Sequence, residues 1–162
     1  MSEKPTPSEA LEQLRAQMHS VLLSTLGEDG NPHTGYTPFV FDGRDLIIFV
    51  SQLSLHTRDL LANAKVSAML IEDEASTSQI FARTRVSYQC DALVVPPDND
   101  SYNKLLDAMQ ERHGKMIGLL RTLPDFVLFR LQPKNGQFVM GFGQAFHLHG
   151  DKLDEFEHAT SA

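Results

Sequence analysis

Residues 71–89 read IEDEASTSQIFARTRVSYQ, and this stretch decides the class of fold. Three acids, Glu72, Asp73 and Glu74, close one apolar run, and Ala75 to Ser78 make a small polar turn. A segment that alternates like a strand follows. Period two places Gln79, Phe81, Arg83, Arg85 and Ser87 on one face and Ile80, Ala82, Thr84, Val86 and Tyr88 on the other. The second face is mostly apolar and is expected to meet a core. The first carries an amide, two guanidiniums and a hydroxyl. Such a row is a candidate cradle for an anion, because arginine grips phosphate or carboxylate by paired donors. The structural alternative pairs Arg83 and Arg85 with Glu72, Asp73 or Glu74 across a hairpin.

Upstream, Lys65 to Ile71 reads as a strand, and Leu46 to Ser51 as another that is apolar on both faces and therefore covered on both. Val21 to Leu26 runs into the turn Gly27-Glu28-Asp29-Gly30-Asn31-Pro32, with His33 to Phe41 returning and Asp42-Gly43 turning again. Downstream, the strand from Gln79 runs to Val95 and breaks at Pro96-Pro97. Asp125 to Leu131 is a strand, Pro133 to Gly136 a turn, and Gln137 to Phe146 a strand whose Gly141 and Gly143 mark a bulge or close approach. Helices are expected in four places. Thr6-Pro7-Ser8-Glu9 is a capping box opening a helix to His19. Ser54 caps a short helix to Asn63, with Leu55, Leu60 and Leu61 inward. Tyr102, Leu105, Leu106 and Met109 mark a helix stopped by Gly114, and Met116 to Thr122 a further piece. About seven short strands with hairpin turns predict a mainly β protein with flanking helices (α+β), closed as a barrel or sandwich.

The 162 residues fit one domain with a real core. A formal net charge of −7 argues against nucleic-acid and acidic-lipid surfaces. The densest apolar run, Leu46 to Val50, is far short of a membrane span, and the N-terminus has no secretion signal. The single cysteine, Cys90, excludes an internal disulfide and a cysteine-based zinc site, and reads as a buried thiol in a reducing, cytoplasmic setting.

Several stretches together resemble the haem-utilisation (HugZ/HutZ-like) branch of the FMN-binding split-barrel superfamily, which includes pyridoxamine 5′-phosphate oxidase. They are Val66 to Glu74 with Gln79 to Arg85, Leu23-Ser24-Thr25 before Gly30 and Pro32, Tyr36 to Val40, Ser54-x-His56-Thr57 before Asn63, Asp125-Phe126, and Gly141-Phe142-Gly143. The resemblance spans roughly residues 20–146, and the order and spacing of the pieces carry it. It implies a six-stranded antiparallel split β-barrel over residues 20–149, preceded by a tail and helix (1–19) and followed by a tail (150–162). It also implies a homodimer that holds FMN or haem in clefts between subunits. The implied cofactor contacts are Tyr36, Thr37, Pro38 and Phe39, then Val50 and Ser51, then Ser54, His56 and Thr57, with Gln79 beside the flavin. Where the oxidase branch has an Arg and Lys pair after a serine for the flavin phosphate, this chain has Leu55 and His56 after Ser54. Arg83 and Arg85 are the replacement source of positive charge.

For haem, the resemblance implies an iron ligand near the C-terminus, where His147, His149 and His158 are the candidates, at most one of them ligating. His147 and His149 are two apart and face one side of a strand; the alternative is that they are solvated surface residues. Asp125, heading an apolar strand, needs a His or Arg partner if buried, or else is a turn residue. Three functions follow from the resemblance: oxygen-dependent haem degradation, an FMN-dependent oxidoreductase, or a carrier without turnover.

Overall fold

The computed structural model describes residues 3–160; Met1, Ser2, Ser161 and Ala162, the outer ends of the two expected tails, lie outside it. Helix α1 spans Pro7–Gln17. Its capping box is complete: the Glu9 N–H donates to Thr6 Oγ1 (3.2 Å) and the Thr6 N–H to Glu9 Oε2 (3.0 Å). The helix ends earlier than expected, because Met18 is already extended and strand β1 begins at Ser20. Ala10, Leu11 and Leu14 bury the helix against the main core.

The strands are β1 (Ser20–Leu26), β2 (Pro32–Pro38), β3 (Val40–Asp42), β4 (Asp45–Ser51), β5 (Lys65–Ile71), β6 (Arg85–Val94), β7 (Phe126–Gly141), β8 (Gln144–His149) and β9 (Glu155–His158). They form one antiparallel sheet in the order β2-β1-β5-β6-β7-β4-β3, with β8 bridging β7 and β9. The sheet curls round a core of Leu23, Ala68, Leu70, Val86, Tyr88, Leu131 and Phe138, all nearly or wholly excluded from solvent. Burying each large side chain of that set contributes about 1.5–3 kcal/mol. The described residues hold nine strands rather than six. The expected return strand His33 to Phe41 divides at Phe39, and the C-terminal segment contributes β9.

Strand β4 is buried on both faces, as its apolar run requires. Leu46, Ile48 and Val50 face the main core, and Ile47 and Phe49 face a second one. Helices α3 (Tyr102–His113) and α4 (Lys115–Leu120) cover that second face through Leu105, Leu106, Met109 and Ile117.

Three expectations are overturned. The turn at Pro133 to Gly136 does not exist; β7 runs straight through it. Cys90 pairs with Pro133 and Gln89 with Asn135, so Lys134 is the extra residue of a bulge. A bulge is where a proline, lacking an N–H, is tolerated inside a sheet. The expected strand Gln137 to Phe146 is broken by a turn after Gly141, where Gly143 takes φ +67° before β8, although Gly141 does sit at a bulge, the register shifting between Val139 and Gly141. Finally, the long strand begins at Arg85, not Gln79. A single 3₁₀ turn at Ile80–Ala82 precedes it, closed by Gln79, whose side chain accepts from the Phe81 N–H and whose carbonyl accepts from Ala82.

Candidate functional site

The arginine row does not form, because Gln79 to Arg83 are not strand. Ile80 and Phe81 are exposed, Phe81 by 81%, so the expected inward face of this segment carries only Ala82. Arg83 Nε donates to the Glu72 carbonyl (2.6 Å), the Thr84 N–H to Glu72 Oε1 (3.0 Å), and Arg85 Nη1 to the Arg83 carbonyl (2.9 Å). The two segments do meet at Glu72, through its carbonyl and one side-chain oxygen, but no ion pair joins Arg83 or Arg85 to Glu72, Asp73 or Glu74 among the described residues. Both guanidiniums are half-buried and bound to main-chain oxygens. Beyond Arg85 the alternation is as expected: Val86, Tyr88, Cys90 and Ala92 point inward. Burial pushes the Cys90 thiol up to about 12, which leaves it an inert thiol.

Of the four residues from Tyr36 to Phe39, Tyr36 lies open on the outer face of β2 (67% exposed) and Pro38 ends that strand in solvent. Thr37 is buried, and Phe39 is 1% exposed inside the core, so neither offers a surface to a ligand. Val50 is likewise buried. Ser51 Oγ donates to Asp125 Oδ2 (2.8 Å) and accepts from the Leu53 N–H (3.1 Å). Asp125 is thus the turn residue of the second reading, only partly buried, and its partner is a serine hydroxyl and not a His or Arg.

Helix α2 (Leu55–Ala62) starts after Ser54, whose side chain caps nothing. Its inward face is Thr57, Asp59 and Leu60; Leu55 and Leu61 are about half exposed, contrary to expectation. His56 packs on Gly35 of β2 so closely that a Cβ there would lie 2.6 Å from its Nδ1. Burial lowers the His56 pKa, with the negative charge of Asp59 pulling the other way, so the ring is neutral at pH 7. Thr57 is wholly buried and its Oγ1 has no partner among the described residues.

Asp59 is the residue that sequence reasoning missed. Its side chain is 5% exposed, and one oxygen, Oδ2, accepts from Thr25 Oγ1 (2.8 Å) and from His33 Nδ1–H (2.6 Å). Burial pushes the carboxyl up, but the bonds from His33 and Thr25 outweigh it and hold the pKa below the ordinary carboxylate value. A cleft of about 440 Å³ opens in front, lined by Glu28, Asp29, His33, Leu55, Arg58 and Asp59. Arg58 Nε donates to the Gln52 carbonyl (3.2 Å). No local signal marks Asp59 in the sequence, because its partners lie on β1 and β2.

The three C-terminal histidines do not converge. His147 and His149 share the outer face of β8, as their spacing implies, with ring centroids 6.3 Å apart. His149 Nε2–H donates to Glu157 Oε2 (2.6 Å). His158 pairs with Phe146 and stands on the opposite face of the hairpin, its ring edge-on to Phe146 at 5.1 Å. Its Nδ1–H donates to the Ala159 carbonyl (3.2 Å), which leaves Nε2 as the accepting nitrogen.

Residues 7–140 match the model of the pyridoxamine 5′-phosphate oxidase family. The chain belongs to that family. Within it, the chain is 38% identical to the haem oxygenase HutZ of Vibrio cholerae over 148 residues, 91% of this chain and 84% of that one. A crystal structure of HutZ, there described as a haem storage protein, superposes with a TM-score of 0.77 at 34% identity, covering 82% of this chain and 94% of the other. Campylobacter jejuni ChuZ superposes with a TM-score of 0.84 at 25% identity, covering 97% of this chain and 64% of ChuZ. The family's split-barrel fold is thus the frame for every residue above. No helix among the described residues is long and apolar enough to cross a membrane.

Proposed function

We propose that this family member binds haem rather than FMN, as a homodimer with the ligand between subunits, in a reducing, cytoplasmic setting. The observation that carries this is the chemistry at the start of α2. A flavin phosphate needs cationic donors there, and the two expected positions hold Leu55, half exposed and apolar, and His56, neutral and packed on Gly35. The adjoining cleft presents the carboxylates of Glu28, Asp29 and Asp59 against Arg58 and His33, the last already bonded to Asp59. A dianionic phosphate is repelled by that set. Arg83 and Arg85, the alternative donors, are each tethered to a main-chain oxygen through one N–H group.

Haem asks for an imidazole with a free nitrogen and a fixed tautomer. His158 supports that role best, since Nδ1–H is held by a carbonyl and Nε2 is free. His149 is oriented in the same way by Glu157 but is left with Nδ1, the ring nitrogen nearer its own backbone, and His147 has no orienting bond among the described residues. When bound, haem supplies the iron that activates oxygen; the chain's part is to hold and orient it. The likeness to HutZ supports haem as the ligand, and its two descriptions, oxygenase and storage protein, frame the remaining choice between turnover and carriage.

The test is haem titration followed in the visible region. A saturable Soret band is expected for the wild type and for the His147→Ala and His149→Ala variants, with a changed or lost band for His158→Ala. Flavin bands on the purified protein, or three variants that all bind as the wild type does, would overturn the assignment. Adding ascorbate under air then separates the two activities: decay of the band means haem degradation, and a persistent band means carriage.

A further inference from the structure

The outer face of the β8–β9 hairpin carries a group that the haem reading does not use. His147 and His149 project from one face of β8, two residues apart. The register sets Glu157 directly opposite His147, and Glu155 directly opposite His149. Directly paired residues of an antiparallel ladder share a face, and a diagonal neighbour is still within reach of a long side chain. The contact is made on the diagonal: His149 Nε2 lies 2.6 Å from Glu157 Oε2. The four side chains are exposed, His149 and Glu157 by 51% and 67%. His158 lies on the other face and takes no part.

From this arrangement we infer that His147, His149 and Glu157 form a binding site for a divalent transition-metal ion of the Zn²⁺ class. Two imidazoles and one carboxylate are the donor types that such ions prefer, and three protein ligands leave at least one position open. The strand period places both imidazoles on one side, and β9 brings the carboxylate that the local sequence lacks. Among the described residues, no three such side chains already surround one point. The ring centroids stand 6.3 Å apart at an interplanar angle of 44°. Bringing both nitrogens to about 2.0–2.1 Å from one ion draws the rings together by roughly an ångström. Exposed side chains make that adjustment by rotamer change while the backbone register stays as it is. When the metal takes Nε2 of His149 in place of the proton it now donates to Glu157, the ring takes up a proton from solvent at Nδ1, so it binds as neutral imidazole in its other tautomer. A bound ion would join β9 to β8 through side chains as well as through the ladder.

The experiment uses the full chain without an affinity tag of histidines. Co²⁺ is titrated first, for its visible spectrum, and Zn²⁺ is then used to displace it. One ion per chain with saturable d–d bands, displaced by Zn²⁺, is expected. His147→Ala and Glu157→Gln should each weaken binding by roughly tenfold or more, since even partners outside the ligand sphere are worth that much. His158→Ala and His113→Ala should bind as the wild type does. The site is disproved if Co²⁺ gives no saturable bands, or if His147→Ala and Glu157→Gln bind as tightly as the wild type. It is equally disproved if His158→Ala or His113→Ala removes the ion. Circular dichroism of each variant confirms that the sheet is intact. Because His158→Ala is expected to spare this site and to alter haem binding, the two proposals stand or fall separately.

Discussion

At Gly35 a single hydrogen separates strand β2 from an imidazole. A methyl group there would meet His56 Nδ1 at 2.6 Å, so Gly35→Ala must displace the ring from its half-buried seat. The expected cost is about 1–3 kcal/mol, as for other overpacked sites. Urea unfolding of Gly35→Ala, His56→Ala and the double variant gives the coupling; strictly additive effects would mean the two residues do not touch. The lowered pKa of His56 also has a sign. The unfolded chain takes up the proton more readily, so the contribution to stability is complete above about 6.5 and is lost as pH falls below it toward the folded value. Between about pH 7.5 and pH 5.5, His56→Leu should therefore lose less melting temperature than the wild type. Parallel melting curves would show that His56 does not titrate. Asp59 acts in the same direction at lower pH. Its folded pKa is depressed, so its contribution is present above 3.8 and lost as pH falls through the folded value. Asp59→Asn weakens the charge-assisted bonds from Thr25 and His33 and should cost about 1–3 kcal/mol at neutral pH, read by the same unfolding assay.

Among the elements, β9 is the shortest strand that carries a candidate ligand. It is held to β8 by its ladder and by Phe156, whose ring meets Phe138 and Phe146 edge-on at 6.3 and 6.0 Å. Phe156 is only half-buried, so Phe156→Ala should cost less than a full core aromatic, about 2 kcal/mol. The sharper expectation is local: amide exchange should accelerate at residues 155–158 and leave β6 and β7 protected. Exchange that rises uniformly would mean β9 unfolds only with the whole molecule. The same element explains a limit of local sequence patterns. Glu155 to His158 is short and polar, and its one large apolar residue gives no periodicity to read. Pro133 misled in the opposite direction. Proline and glycine near one another resemble a turn, yet the bulge opposite Gln89 and Cys90 absorbs the missing donor.

For the whole molecule, the outer face of the sheet leaves large apolar side chains in solvent. On β2 and β1, Tyr36 and Leu22 are paired neighbours, 67% and 40% exposed, and the same row continues through the half-buried Met69 on β5. The homodimer of the proposed function would cover this face. Light scattering should give twice the 18.1 kDa chain mass, and a Leu22→Glu, Tyr36→Glu variant should run as a monomer with weakened haem binding. A monomeric wild type would remove the dimer from the proposed function.

What the sequence determined by itself is local or periodic. The capping box of α1, the strands β1, β4 and β5, the buried parity of Val86, Tyr88 and Cys90, and the helix stop at Gly114 all follow from spacing and from single-residue chemistry. The family resemblance rests on the same kind of ordered pieces. Only the tertiary structure decided which polar groups meet. Gln79 to Arg83, expected to open the long strand, folds as a turn, because Gln79 satisfies its own neighbours' N–H groups and the core ends at Ala82. Asp59 finds Thr25 and His33 across two strands, and His149 finds Glu157 across a hairpin. Those contacts depend on register between segments. A one-residue slip would turn every such side chain to the other face, so no stretch of chain read alone contains them.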